Sequence, residues 1–120
     1  MSCKISVRES GSVSIVDLAG RITTGEGAIQ MRDAIKKLAQ GGARNILINL
    51  QDVAYLDSAG LGELVGAYTT LTNAGGQIKL MNMKSIVKQL LEITNMSALF
   101  PTYENEAAAV RSFTATAAGV

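Results

Sequence analysis

Histidine is absent from the chain, and cysteine occurs once, as Cys3. The absence of histidine removes the usual general base for serine and cysteine nucleophiles and the commonest zinc ligand, so much familiar hydrolase chemistry is excluded. Cys3 cannot form an internal disulfide, and without a resolving partner it is a poor redox centre. A single cysteine fits a reducing compartment.

Long apolar runs and an excess of charge of one sign are also missing. Lysine and arginine number 11 against 10 aspartate and glutamate residues, without a basic cluster, so no nucleic-acid partner is expected. The apolar runs, such as Ile46 to Ile48, fall far short of the about 20 residues that span a bilayer, so no membrane insertion is expected. The first residues pass into an alternating pattern without the apolar stretch of a signal peptide. Together these absences predict a cytoplasmic protein.

Hydrophobic residues make up 48% of the 120 residues and charged residues 18%, which favours a folded globular chain over a disordered one. A chain of this length has room for one domain, residues 1–120. We expect the core of that domain to span about residues 4–113. Residues 114–120 are small, mostly alanine and threonine, and are expected to form a flexible, frayed tail.

Apolar residues alternate with polar ones in some segments and recur at spacings of three and four in others, which predicts strands and helices respectively. The strands are predicted at 5–8, 13–18, 46–50, 78–81 and 100–103, and the helices at 28–39, 61–71, 86–91 and 107–113. A hairpin followed by this alternation implies parallel pairing through right-handed crossovers. The predicted fold class is α/β, with a mixed, mostly parallel sheet of four to five strands and about four helices.

The segment from Gln51 to Gly62 joins the predicted central strand to the second helix, at the sheet edge where ligands and partners of α/β proteins gather. Ser58 precedes the helical periodicity, so its side-chain oxygen is predicted to cap the helix by accepting a hydrogen bond from the amide of residue 60 or 61. Gly60 and Gly62 leave the backbone nearly bare, which would let a partner approach closely. Alone, such a turn is ordinary capping chemistry.

The longer pattern around this turn is more specific. Asn49-Leu50-x-x-Val53-x-x-Leu56-Asp57-Ser58-Ala59-Gly60-Leu61-Gly62 follows a buried strand in a chain of this length and element order. It resembles the phosphorylation-site signature of STAS domains, specifically the bacterial anti-anti-sigma factors, and the resemblance extends over about residues 4 to 113. The starting hairpin, the Gly20 turn and the Gly75-Gly76 break are similar as well. The resemblance implies the STAS fold and makes Ser58 the residue that a partner kinase phosphorylates.

In such systems the partner is an anti-sigma factor that is itself a serine kinase. The resemblance implies that the unmodified chain binds this kinase, that a sigma factor is thereby released for transcription, and that phosphorylation of Ser58 ends the binding until a serine phosphatase removes the group. ATP and magnesium belong to the kinase, so no cofactor and no enzymatic activity are expected of this chain. A phosphate on Ser58 would add about −1.5 to −2 charges beside Asp57.

Residues flanking Ser58 complete the expected partner-binding surface. Family members often carry an acidic residue after the second strand, where this chain has Thr23. Thr23 and Thr24 are therefore candidate secondary phosphoacceptors, unless one of them caps the first helix. Arg21 is a candidate partner for the phosphate on Ser58. The remaining residues expected at this surface are Tyr55, Asp57, Ala59, Gly60, Leu61 and Gly62.

Three alternatives remain beside this hypothesis. The first is a STAS scaffold or transport-accessory subunit in a larger stress-signalling or transporter assembly. An enzyme would use Ser58 as a nucleophile beside Asp57, or the Gly20 to Gly27 loop as a phosphate cradle. The chain offers no histidine for the first and no Gly-x-x-x-x-Gly-Lys-Ser/Thr spacing for the second. The sequence also leaves a weak homodimer open.

Overall fold

The computed structural model describes residues 3–118, with side chains as far as Phe113. Five strands and four helices alternate as the apolar pattern predicts. The strands are β1 (Cys3–Ser10), β2 (Val13–Ile22), β3 (Asn45–Leu56), β4 (Gln77–Met81) and β5 (Thr102–Tyr103). The helices are α1 (Glu26–Gln40), α2 (Ser58–Asn73), α3 (Ser85–Ile93) and α4 (Glu106–Ala118).

The strands form one mixed sheet in the order β1-β2-β3-β4-β5. β1 and β2 pair antiparallel through a tight turn in which Gly11 has φ 60°, a conformation that glycine adopts without strain. Each later strand pairs parallel with its predecessor, as crossovers through helices require. The predicted α/β class, the opening hairpin and the mostly parallel sheet are confirmed.

Helices cover both faces of the sheet. Successive side chains of a strand point to opposite faces, so β3 contributes to a core on each side. In β3, Ile46 and Ile48 belong to a large core with residues of α1, α2 and α3. Leu47 points the other way, into a smaller core with Phe113 of α4. All three side chains are fully buried, which confirms β3 as a central strand covered on both faces.

β3 is longer than the five residues predicted for it. It continues to Leu56, but it pairs with β4 only as far as Asn49, and its extension lies against β2 alone. Two register shifts interrupt the pairing with β2, and the buried residues Val53 and Leu56 of the extension are three apart. The sequence therefore shows no alternation there, so its pattern does not predict this part of the strand.

Every predicted element is present, but most of them extend two or more residues beyond the predicted range on at least one side. Asn105 caps α4, since its Oδ1 accepts a hydrogen bond from the amide of Ala108 at 2.8 Å. α4 then continues to Ala118, so residues 114–118 of the expected tail are helical, and residues 119–120 lie outside the described residues. The flexibility expected of this tail stays a prediction. No helix within residues 3–118 is long and apolar enough to cross a membrane.

Candidate functional site

The site lies where β3 passes into α2. Ser58 is the first residue of α2, and its side chain is exposed. No residue among 3–113 holds the Ser58 hydroxyl in a side-chain hydrogen bond; the carboxylate of Asp57 is directed elsewhere. The hydroxyl is therefore accessible to another protein.

The cap of α2 is Asp57, so the prediction that Ser58 caps this helix was wrong. Asp57 has extended backbone angles, φ −101° and ψ −175°, and its Oδ1 accepts a hydrogen bond from the Gly60 amide at 3.0 Å. Aspartate is as good a cap as serine. The chain uses the carboxylate for capping, which places Ser58 one position inside the helix with a free hydroxyl.

The second carboxylate oxygen of Asp57 binds the loop between β2 and α1. Asp57 Oδ2 accepts from the Thr24 amide at 2.9 Å and from the Thr24 hydroxyl at 3.1 Å. Thr24 thus contacts the cap of α2, and no side chain caps α1, whose cap residue is Gly25. The expectation that a threonine caps α1 was therefore wrong. Thr23 is half-buried, and its carbonyl accepts a hydrogen bond from the Ala28 amide at 3.0 Å.

These hydrogen bonds hold the pKa of Asp57 below its usual value. The Gly60 amide contributes most, followed by the Thr24 amide and then by the Thr24 hydroxyl. All three donate to the ionised carboxylate and so favour the charged form. At neutral pH the residue before Ser58 therefore carries a fixed negative charge.

The two glycines of the first turns of α2 differ completely in their surroundings. Gly60 is buried, and a Cβ there would overlap the backbone oxygen of Ile22 and approach Leu56 Cδ1 to 2.6 Å. Gly62 is exposed, and a Cβ there would have no heavy atom within 4 Å. Gly60 therefore lets the helix pack against the end of β2, and of the two only Gly62 offers bare backbone to a partner.

Arg21 and Tyr55 form the outer edge of the site. They face each other across β2 and β3, and the guanidinium carbon of Arg21 lies 5.0 Å from the centre of the Tyr55 ring. Such a distance is typical of a cation–π contact. Tyr55 is 38% exposed, as predicted, whereas Leu56, Leu61 and the core residue Leu64 are buried. Leu61 and Gly60 thus lie beneath the expected partner-binding surface and are not part of it. Ala59 is half-buried.

The sequence gives only an ambiguous signal for one of the missed contacts. Asp57 and Ser58 are both favourable cap residues with nearly equal preference, so the sequence offers two candidate caps and does not choose between them. The contact between Thr24 and Asp57 has no local signal, because it joins residues 33 positions apart. No three histidine, cysteine, aspartate or glutamate side chains come together as metal ligands in the described part of the chain.

A family model described as the STAS domain matches residues 4–109. The match covers most of the chain, and the protein therefore belongs to the STAS domain family. A curated relative, the anti-sigma-B factor antagonist of Bacillus subtilis (strain 168), is 32% identical over 96 residues, which are 80% of this chain and 86% of that protein. The resemblance noted in the sequence is confirmed.

Solved structures show the same fold. An anti-sigma factor antagonist from Mycobacterium paratuberculosis superposes with a TM-score of 0.85 at 22% identity, over 94% of this chain and 95% of that one. The Bacillus cell fate determinant SpoIIAA in its phosphorylated form superposes with a TM-score of 0.71 at 19% identity, over 91% of this chain and 99% of that one. At these identities the likeness concerns the fold.

Proposed function

We propose that this protein is an anti-sigma factor antagonist that binds an anti-sigma serine kinase while Ser58 is unmodified and releases it when Ser58 is phosphorylated. The observation that supports this most directly is the exposed Ser58 hydroxyl at the start of α2, beside the ionised Asp57. The name of the Bacillus subtilis relative agrees with the proposal. The kinase would supply ATP and magnesium, and a serine phosphatase would reverse the modification.

Phosphorylation would change the charge of the docking surface more than its shape. A phosphate brings about −1.5 to −2 charges, next to a carboxylate that already carries one. The positive end of α2 attracts anions, but Asp57 already accepts from the Gly60 amide. The phosphate would therefore meet a like charge at the cap, and a partner would have to desolvate both anions. A hundredfold loss of affinity requires only about 2.8 kcal/mol.

Around Ser58 the exposed groups suit a partner that approaches closely. Gly62 lies one helical turn beyond Ser58 and presents bare backbone, while Tyr55 and Arg21 provide a flat, amphipathic edge. We expect Gly60 and Leu61 to act only by shaping the helix, because both are buried. Arg21 remains a candidate to contact the phosphate, in competition with its stacking on Tyr55.

The test combines the protein with its cognate kinase and ATP, maps phosphate by mass spectrometry and measures binding to the kinase. Ser58→Ala should bind and resist modification, while Ser58→Asp should bind at least about tenfold more weakly. Ser85 provides the matched control, because it is also exposed and is the first residue of α3. Ser85→Ala and Ser85→Asp should leave modification and binding unchanged.

Thr23 and Thr24 are tested in the same assay as secondary acceptors. Because the Thr24 hydroxyl donates to Asp57 and Thr23 is half-buried, we expect phosphate on neither residue while Ser58 is intact. Phosphate on a threonine of wild-type protein, together with tight binding of Ser58→Asp, would contradict the assignment of the site.

A further inference from the structure

Thr24 lies in the loop that leads into α1, but its polar groups stabilise the start of α2. Its amide and its hydroxyl both donate to Asp57 Oδ2, at 2.9 and 3.1 Å. A threonine next to the start of a helix commonly uses its hydroxyl to cap that helix. Here the cap residue of α1 is Gly25, without a side-chain hydrogen bond, and the Thr24 hydroxyl reaches a residue 33 positions away. Formation of α1 therefore does not explain the threonine at this position.

Asp57 is attached to the end of β2 and to the loop after it at two points. Its amide donates to the carbonyl of Ile22 at 3.3 Å, and its Oδ2 accepts the two hydrogen bonds from Thr24. Capping of α2 uses only the other carboxylate oxygen, Oδ1, which accepts from the Gly60 amide at 3.0 Å. The contacts with Thr24 therefore come in addition to capping, and they fix the orientation of the carboxylate next to Ser58.

Without Thr24, the second carboxylate oxygen of Asp57 would have another donor close by along the chain. Ser58 is the next residue, its side chain is exposed, and a serine hydroxyl rotates to suit local acceptors. A hydroxyl that donates to Asp57 would have to break that hydrogen bond before a base of the kinase could accept its hydrogen. Occupation of Oδ2 by Thr24 therefore favours a free Ser58 hydroxyl.

We propose that Thr24 is a positioning residue for the modification of Ser58, and that it acts by holding Asp57 Oδ2 away from the Ser58 hydroxyl. The same contacts hold the loop after β2 and the start of α2 together as one surface. This role rests on the proposed function. It has a signature in the free protein, because the hydrogen bonds from Gly60, which contribute most, and from Thr24 lower the pKa of Asp57. Removal of the Thr24 hydroxyl should therefore raise that pKa.

The first measurement is the pKa of Asp57 in the full, unmodified chain, from an NMR titration of its carboxyl carbon. Thr24→Val removes the hydroxyl but keeps the branched shape and the amide, so the pKa should rise above that of wild type. Thr24→Ser keeps a hydroxyl and should restore the wild-type pKa. Thr70→Val is the matched control, because Thr70 is also exposed but lies near the other end of α2. An unchanged pKa in Thr24→Val, or an equal rise in Thr70→Val, would overturn the proposal.

The second measurement is kcat/KM for phosphorylation of Ser58 by the cognate kinase. Thr24→Val should lower it at least about threefold, as expected for the loss of one hydrogen bond, whereas Thr24→Ser and Thr70→Val should not. Asp57→Asn keeps a capping oxygen but offers Thr24 no second acceptor, so adding Thr24→Val to it should have little further effect. An equal loss in both backgrounds, or an unchanged kcat/KM in Thr24→Val, would refute the positioning role. Absence of phosphate from Ser58 of wild type would instead refute the proposed function, and the titration, which needs no kinase, separates the two failures.

Discussion

The inner face of α2 is tightly packed and the outer face is exposed, although both faces include residues of the first helical turn. The inner face has Gly60, Leu61 and Leu64 packed against β2 and β3, and Leu64 is fully buried. The outer face has Ser58, Gly62 and Gly66 in open solvent, and a Cβ on either of these two glycines would contact nothing. The fold therefore explains the residues of the inner face, whereas no packing contact among the described residues requires glycine at positions 62 and 66.

The largest expected effect is at Gly60. In Gly60→Ala the new Cβ meets a backbone oxygen that cannot rotate away, so the loss from overpacking exceeds the gain in helix propensity. We expect the free energy of unfolding to fall by about 2 kcal/mol and the denaturation midpoint by about 10 °C. Thermal denaturation followed by circular dichroism measures both. An unchanged midpoint would mean that the first turn of α2 can move away from β2.

The opposite sign is expected at Gly62 and Gly66. Alanine at either exposed position should stabilise the protein by about 0.5–1 kcal/mol, because glycine in a helix loses more conformational freedom on folding. The two substitutions should differ in kinase binding. Gly62→Ala adds a methyl group one turn from Ser58 and should weaken binding, whereas Gly66→Ala lies about 6 Å further along α2 and should bind nearly as wild type. Equal binding by both variants would remove Gly62 from the docking surface.

The smallest expected effect is on the pH dependence of stability and concerns Asp57, the N-cap of α2. Since folding lowers the pKa of Asp57, its contribution to stability is present above the usual carboxyl value of about 4 and is lost as the pH falls through the folded value. Asp57→Asn should therefore make unfolding less sensitive to pH below about 4, a small change because solvent screens the charge of this half-buried group. Asp17 and Glu106 also have lowered pKa values because of Arg8, so wild type and variant are compared over the same titration.

Much of the fold was predictable because the apolar periodicity, the glycine turns and the Asn105 cap are local signals. Ser58 was placed correctly at the start of α2 for the same reason. The cap was assigned to the wrong residue because Asp57 and Ser58 have nearly equal capping preference, and a local rule does not separate them. The contact with Thr24, the burial of Gly60 and the extension of β3 depend on how β2 lies against β3, which spacing along the chain does not encode.

The hydrogen bonds between Thr24 and Asp57 depend on the tertiary structure. They close a loop of 33 positions, so they form only after β2 and β3 have paired, and a nascent or misfolded chain lacks them. A peptide of residues 49–62 would contain the complete motif and yet present Ser58 without the Thr24 contact to Asp57. Under the proposed function, a kinase that requires the assembled site would modify the folded protein faster than this peptide.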